Sequence, residues 1–146
     1  MTEMATVCTS GERPDAIGWR SSHSILIECK TSRADFRVDA SKPFRRDATR
    51  GMGSLRFFMA PVGIIRATEL PAGWGLLEVG ERVTLVAGGN PKQWPEKWGD
   101  YYHRQRAQDC EMAMLLSGLN RVRVGLGEGR FREVLHTRLA AKAVAA

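Results

Sequence analysis

Between Pro14 and Lys30 the chain reads Pro14-Asp15-Ala16-Ile17-Gly18-Trp19-Arg20-Ser21-Ser22-His23-Ser24-Ile25-Leu26-Ile27-Glu28-Cys29-Lys30. Pro14 to Arg20 opens with a proline, which a strand tolerates at its first residue. Ser24 to Lys30 is β-branched and apolar, and Arg20-Ser21-Ser22-His23 supplies a polar turn, so the two runs are expected to form a hairpin. A turn centred between Ser21 and Ser22 sets Asp15 opposite Glu28. Alternation then places Leu26, Glu28 and Lys30 on one face and Ile25, Ile27 and Cys29 on the other. Two carboxylates facing each other ~5 Å apart destabilise a sheet unless something positive lies between them.

Downstream, Thr31-Ser32-Arg33-Ala34-Asp35-Phe36 offers hydroxyl caps followed by helix formers, and Lys42-Pro43 stops or bends that helix. Asp47-Ala48-Thr49-Arg50-Gly51-Met52-Gly53 is a glycine-bearing basic loop. Leu55 to Pro61 reads as a buried strand, and Gly75 to Val79 and Val83 to Val86 as two more, joined by a turn at Gly80-Glu81. Asn90 to Gly99 is a loop punctuated by Pro91 and Pro95. From about Tyr101 to Val122 the period lengthens. Met112, Leu115, Leu116, Leu119 and Val122 recur at i, i+3, i+4 and i+7, the stripe of an amphipathic helix that Gly125 and Gly127 end. Arg130 to Ala145 repeats a weaker stripe through Phe131, Leu135 and Leu139.

At 146 residues, 43% hydrophobic and 26% charged, the composition is that of one soluble globular unit. No stretch approaches the ~18 consecutive apolar residues of a membrane span. Met1 to Thr6 lacks a basic and then apolar leader, so no secretory signal is expected. Cys8, Cys29 and Cys110 lack metal-ligand spacing and read as reduced thiols of a cytoplasmic compartment. The net charge is +6, and only Lys30, Lys42, Lys92, Lys97 and Lys142 of the basic residues are lysine. Between residues 30 and 66, nine basic residues face only Asp35, Asp39 and Asp47, a surplus as large as that of the whole chain. Arginine's planar fork suits phosphate, so a polyanionic partner is expected there. Arg45, Arg46 and Arg50 are expected on backbone phosphate, with a solvated charge run as the plainer alternative.

The simplest remedy for opposed Asp15 and Glu28 is a divalent cation. Mg²⁺ uses one or two carboxylates and completes its shell with water and phosphate. Such a metal lowers the pKa of bound water and neutralises charge on a phosphate oxygen, while an ammonium at Lys30 can orient the attacking hydroxide. That set of groups describes phosphodiester hydrolysis. Against it stands an ordinary exposed hairpin carrying Asp and Glu. Asp35 and Asp39, four apart, are either a helix surface pair, or a second acidic group or partners that orient Arg33 and Lys42. Packing is the expected role of Tyr101-Tyr102-His103 and of Trp74, Trp94 and Trp98. Exposure is expected for His23, and a core position for the Cys29 side chain.

Pro14-Asp15 followed by Glu28-Cys29-Lys30 resembles the signature of the PD-(D/E)XK nuclease superfamily, the restriction-endonuclease-like fold. The continuation Leu26-Ile27-Glu28-Cys29-Lys30-Thr31-Ser32-Arg33-Ala34-Asp35-Phe36, with Asp39 and Lys42, is similar to the MmcB-type DNA-repair branch and related bacteriophage proteins. Arg56 to Pro61 and Leu70 to Leu77 fit the same pattern, which covers about residues 13–80. The resemblance implies an α/β fold with a central mixed sheet flanked by helices on both faces, over residues 1–124, and leaves 125–146 as a helical tail. It implies Asp15 and Glu28 as metal ligands with the Cys29 carbonyl as a third, Lys30 as the catalytic lysine, and Mg²⁺ or Mn²⁺ as cofactor. Members carry a further upstream glutamate, for which Glu3 or Glu12 would have to substitute. Arg33, Lys42, Arg45, Arg46 and Arg50 are the expected DNA contacts. The expected activity is DNA endonuclease action in repair or phage DNA processing, in the cytoplasm of a bacterium or of a phage-infected host. A homodimer is allowed, and no membrane is expected as partner. The alternative is an impaired nuclease-fold module that binds nucleic acid without cutting it.

Overall fold

A computed structural model describes residues 10–143. The hairpin forms as expected: β1 (Ala16–Arg20) and β2 (His23–Cys29) pair antiparallel, with Ala16 opposite Ile27 and Arg20 opposite His23. Ser21 takes a positive φ of 53° at the turn, where right-handed strand twist favours such a conformation. Ser32 then caps α1 (Arg33–Asp39) by accepting the Asp35 N–H, and Pro43 opens the single turn of α2 (Pro43–Arg46). That crossover returns the chain to β3 (Leu55–Pro61), parallel to β2, and β4 (Trp74–Val79) adds parallel to β3. Finally β5 (Val83–Ala87) folds back antiparallel on β4. The result is a single-domain α/β fold, a five-stranded mixed sheet in the order β1-β2-β3-β4-β5.

The two sheet faces differ in what covers them. Leu26, Phe58, Ala60, Trp74 and Leu76 face α1 and the start of α3 (Gln108–Leu126), where Phe36, Cys110 and Met114 complete the core. Leu55 and Phe57 on the other face meet Trp98, Tyr101 and Tyr102. Here, where the resemblance implied helices, the covering element is a proline-rich loop with 3-10 turns at Pro95–Lys97 and Gly99–Tyr101. Two prolines in this segment restrict the backbone to short turns.

Gly53, with φ of 89°, lets the chain enter β3 beneath Leu26: a Cβ there would lie 2.6 Å from the Leu26 Cβ. The buried Glu111 anchors α3 close by. Its Oε1 accepts from the Gly53 N–H at 2.7 Å, from Ser24 Oγ at 2.8 Å and from Arg106 Nε at 2.9 Å. α3 runs through Gly125 to Leu126, and Gly127 (φ 76°) turns the chain into α4 (Glu128–Ala143). Among the described residues no helix is long and apolar enough to cross a membrane.

Candidate functional site

Strand alternation delivers Glu28 and Lys30 to the face that α1 and α2 cover, and both side chains are buried there. Asp39, the last residue of α1, points to the same place, as does Arg45 of α2. Glu12 joins them from the chain before β1. The outcome is a balanced cluster of three carboxylates and three cations. Lys30 Nζ lies 3.1 Å from Asp39 Oδ1 and 3.4 Å from Glu28 Oε2. Lys42 Nζ, at the solvent rim, lies 2.6 Å from Asp39 Oδ1 and 3.7 Å from Glu28 Oε2. Arg45 forks to all three acids: Nη1 reaches Glu12 Oε1 at 2.7 Å, Nη2 reaches Glu28 Oε1 at 3.2 Å, and Nε donates to Asp39 Oδ2. The Met52 N–H holds the second Glu12 oxygen at 2.5 Å.

The positive charge that Glu28 requires is thus supplied in the first instance by the protein. Asp15 sits one residue beyond the last hairpin pair, at the position facing Glu28, but its carboxylate is exposed and accepts the Cys29 N–H at 2.7 Å. The expected direct opposition of two bare carboxylates is therefore relieved twice, by a backbone donor on one side and by side-chain cations on the other.

Compensation within the cluster is uneven. Burial alone would raise the Asp39 pKa, yet hydrogen bonds from Arg45 and Lys42 outweigh it and hold the carboxyl below its ordinary value. Glu28 meets the same three cations, but burial prevails and its pKa is raised. Its buried Oε1 receives no aligned hydrogen bond, although Arg45 lies within ion-pair distance. Glu28 is the acid whose charge is least well satisfied. Burial also works against the Lys30 ammonium, but Asp39 and then Glu28 and Asp35 prevail and raise its pKa. Lys30 therefore stays protonated near neutral pH, and serves as a cation and not as a base.

Arg45 is the main correction among the expected DNA contacts. Its side chain is 1% exposed, and its guanidinium lies 4.1 Å from the centre of the Trp74 ring and 5.7 Å from that of Phe58. A planar, weakly hydrated cation suits such a position better than an ammonium would. The single turn of α2 directs Arg45 inward and leaves Arg46 exposed, and Arg50 is exposed on the loop that follows. Arg33 pairs with Glu69 and donates to the Ile64 carbonyl at 3.1 Å. Cys29, expected in the core, has an exposed side chain. Its pKa is raised, by partial desolvation against the strand end first and then by Asp15 and Glu28, which keeps the thiol protonated.

The aromatic expectations divide similarly. Trp74 stacks on Phe58 with ring centres 4.5 Å apart, and Trp98 Nε1 donates to the Asn90 carbonyl, whereas Trp94 stays exposed. His23 is not free at its turn but makes edge contacts with Trp98 and Tyr102. His103 donates from Nε2 to the Gly73 carbonyl at 3.0 Å. Burial first, and then the nearby Arg56, push its pKa down to about 4, so it is a neutral packing residue. Glu3 lies outside the described residues, and Glu12 is buried in the cluster on Arg45 and the Met52 N–H.

Whether these residues suit a metal turns on two carboxylates. Among the described residues no three His, Cys, Asp or Glu side chains form a metal-binding group. Asp15 and Glu28 are a pair of the number Mg²⁺ commonly takes, and Glu28 Oε1 has no hydrogen bond, with Arg45 Nη2 3.2 Å away. No protein-family model matches the chain, and no curated protein matches it. A solved structure described as SPO1766, a protein of unknown function from Silicibacter pomeroyi, is similar at a TM-score of 0.49 and 24% identity, over 77% of this chain and 70% of that one.

Proposed function

We propose that the chain is a metal-dependent nuclease of the PD-(D/E)XK type, with a restriction-endonuclease-like core, that hydrolyses DNA phosphodiester bonds. One observation carries the reading: Glu28 keeps a buried oxygen without a hydrogen bond at a strand end that also holds Asp15 opposite and Lys30 two residues on. Asp15 and Glu28 are the residues that would hold Mg²⁺ or Mn²⁺. The bound ion would supply an activated water and neutralise charge on the phosphate. Lys30, kept cationic, stabilises the charge that develops on the phosphate oxygens. Asp39 positions Lys30 through its 3.1 Å contact. Lys42 at the rim, with exposed Arg46 and Arg50, holds the nucleic-acid backbone beside the site.

The closed ion cluster favours one second reading. Lys42 and Arg45 already attend Glu28, so the same fold serves as a module that binds nucleic acid without cutting it. Oligonucleotide and plasmid cleavage with Mn²⁺, beside an EDTA control, separates the two. Under the nuclease reading, wild type cuts at least one of duplex, single-stranded and branched DNA. Lys30→Ala then cuts roughly 10²-fold more slowly or worse, because the lysine acts on charge that develops in the transition state. Its DNA affinity should stay within a few-fold of wild type, since the exposed arginines remain. Tight binding with no cleavage of any substrate selects the second reading.

A further inference from the structure

The apolar stripe of α3 does not face the sheet. Cys110, Glu111 and Met114, near the start of the helix, are its buried residues. Met112, Leu115, Leu116, Leu119, Val122 and Leu126 are each between 40 and 56% exposed. At about 100° per residue these six fall within an arc of about 120°, a separate face running the length of the helix. The single polar residue in that arc between 112 and 126 is Arg123, whose guanidinium is drawn to Asn120 and Glu128. Val134 and Leu135 of α4 are also exposed, so the described part of α4 leaves the stripe open.

We propose that this face is a homodimer interface, on which α3 of a second copy lies antiparallel about a two-fold axis at Leu119. The spacing of the stripe is self-complementary. About that axis Leu119 meets its own counterpart, Met112 meets the partner's Leu126, Leu115 lies beside the partner's Val122, and Leu116 packs on the aliphatic stem of the partner's Arg123. An isologous contact needs a surface that matches itself in this way. The antiparallel arrangement also opposes the two helix dipoles. The exposed area agrees. The six side chains expose roughly 500 Å² per copy, near the largest apolar patch usual on a monomer, and two copies reach the ~1,000 Å² of a specific interface. An interface of that size gives a reversible, concentration-dependent dimer. The inference does not depend on the chemistry at Glu28.

Sedimentation equilibrium of the full chain over roughly 1 to 300 μM tests it. The apparent mass should rise from 16.2 kDa towards twice that value. Leu119→Glu should raise the dissociation constant at least tenfold while leaving the circular dichroism and the thermal midpoint of the dilute monomer unchanged, because Leu119 packs against nothing in the domain core. A cross-link provides the geometric check. With Cys8→Ser and Cys29→Ser in place, oxidised Leu119→Cys should form a covalent dimer, and Arg121→Cys on the opposite side of the helix should not. A wild type that stays monomeric at the highest concentration overturns the proposal, as does a Leu119→Glu variant that dimerises like wild type. A monomer whose stripe is nonetheless protected from hydrogen exchange also overturns it, and assigns the face to another segment of the same chain.

Discussion

Asp39 and Arg45 show how little a residue's local setting says about its role. Asp39 ends a helix of seven residues and, with Asp35 four residues earlier, has the spacing of a solvent-facing charge pair. In the folded chain Asp35 is exposed while Asp39 is buried among Lys30, Lys42 and Arg45. Asp39→Asn should therefore destabilise the protein by about 3–5 kcal/mol near neutral pH, the usual consequence of removing one partner from a buried ion pair. The dependence on pH follows from the depressed pKa. Stability from the charged carboxylate is present above its ordinary value of 3.8 and is lost as pH falls through the lower folded value. Urea denaturation at about pH 7 and about pH 3 should show the gap between wild type and variant narrowing in acid. A gap that widens would mean that Asp39 is not held in its charged form.

At the scale of elements, the hairpin carries the site, because its register decides that Glu28 and Lys30 face α1 and α2. A slip of one residue would turn both outward. The turn that holds this register uses Ser21 in the left-handed region, where a side chain is strained and glycine is not. Ser21→Gly should raise stability by about 0.5 kcal/mol, the relief of strain exceeding the added freedom of the unfolded chain. A lowered midpoint of unfolding would show that Ser21 is held there by something other than the turn itself. In α3 the sequence period is correct for a helix but does not identify which face meets the core. That assignment comes from Glu111, whose contacts with Gly53, Ser24 and Arg106 rotate the helix so that Cys110 and Met114 face the sheet.

Across the whole molecule, the basic surplus of residues 30–66 is not a surface field of the same size. Lys30, Arg45 and Arg56 are taken inside, and Arg33 and Lys42 are paired with acids. Arg56 donates from Nε to the Gly53 carbonyl and from Nη2 to those of Ala48 and Gly51, its buried Nη1 has no hydrogen bond, and burial pushes its pKa down to about 10. The exposed arginines of this region that make no ion pair within 4 Å among the described residues are Arg37, Arg46, Arg50 and Arg66, and Asp47 and Glu69 lie near the last two. Replacing Arg46 and Arg50 with alanine should flatten the plot of log K for DNA against log salt by up to about 0.9 per lost duplex phosphate contact. Arg45→Ala should instead lower the unfolding midpoint steeply and, wherever the variant stays folded, leave that slope unchanged. Equal changes of slope for the two kinds of variant would place Arg45 on the nucleic acid after all.

Local and periodic information in the sequence was enough for all five strands, the hairpin register, the Ser32 cap and the existence of both long helices. Each of these depends on residues within a few positions of one another. The helix boundaries shifted, to Gln108 and Leu126 for α3, because glycine and tight turns leave a helix end open within a turn or two. The convergence of Glu12, Glu28, Asp39 and Arg45 was only partly legible. Glu28 and Lys30 carry a recognisable spacing, whereas Arg45 and Glu12 meet across 33 positions and belong to no shared period. A row of arginines looks alike in sequence whether its members face solvent or a buried carboxylate. Which of them was drawn inside was decided by tertiary packing, where Trp74 and Phe58 offered Arg45 a flat apolar bed and three acids within reach.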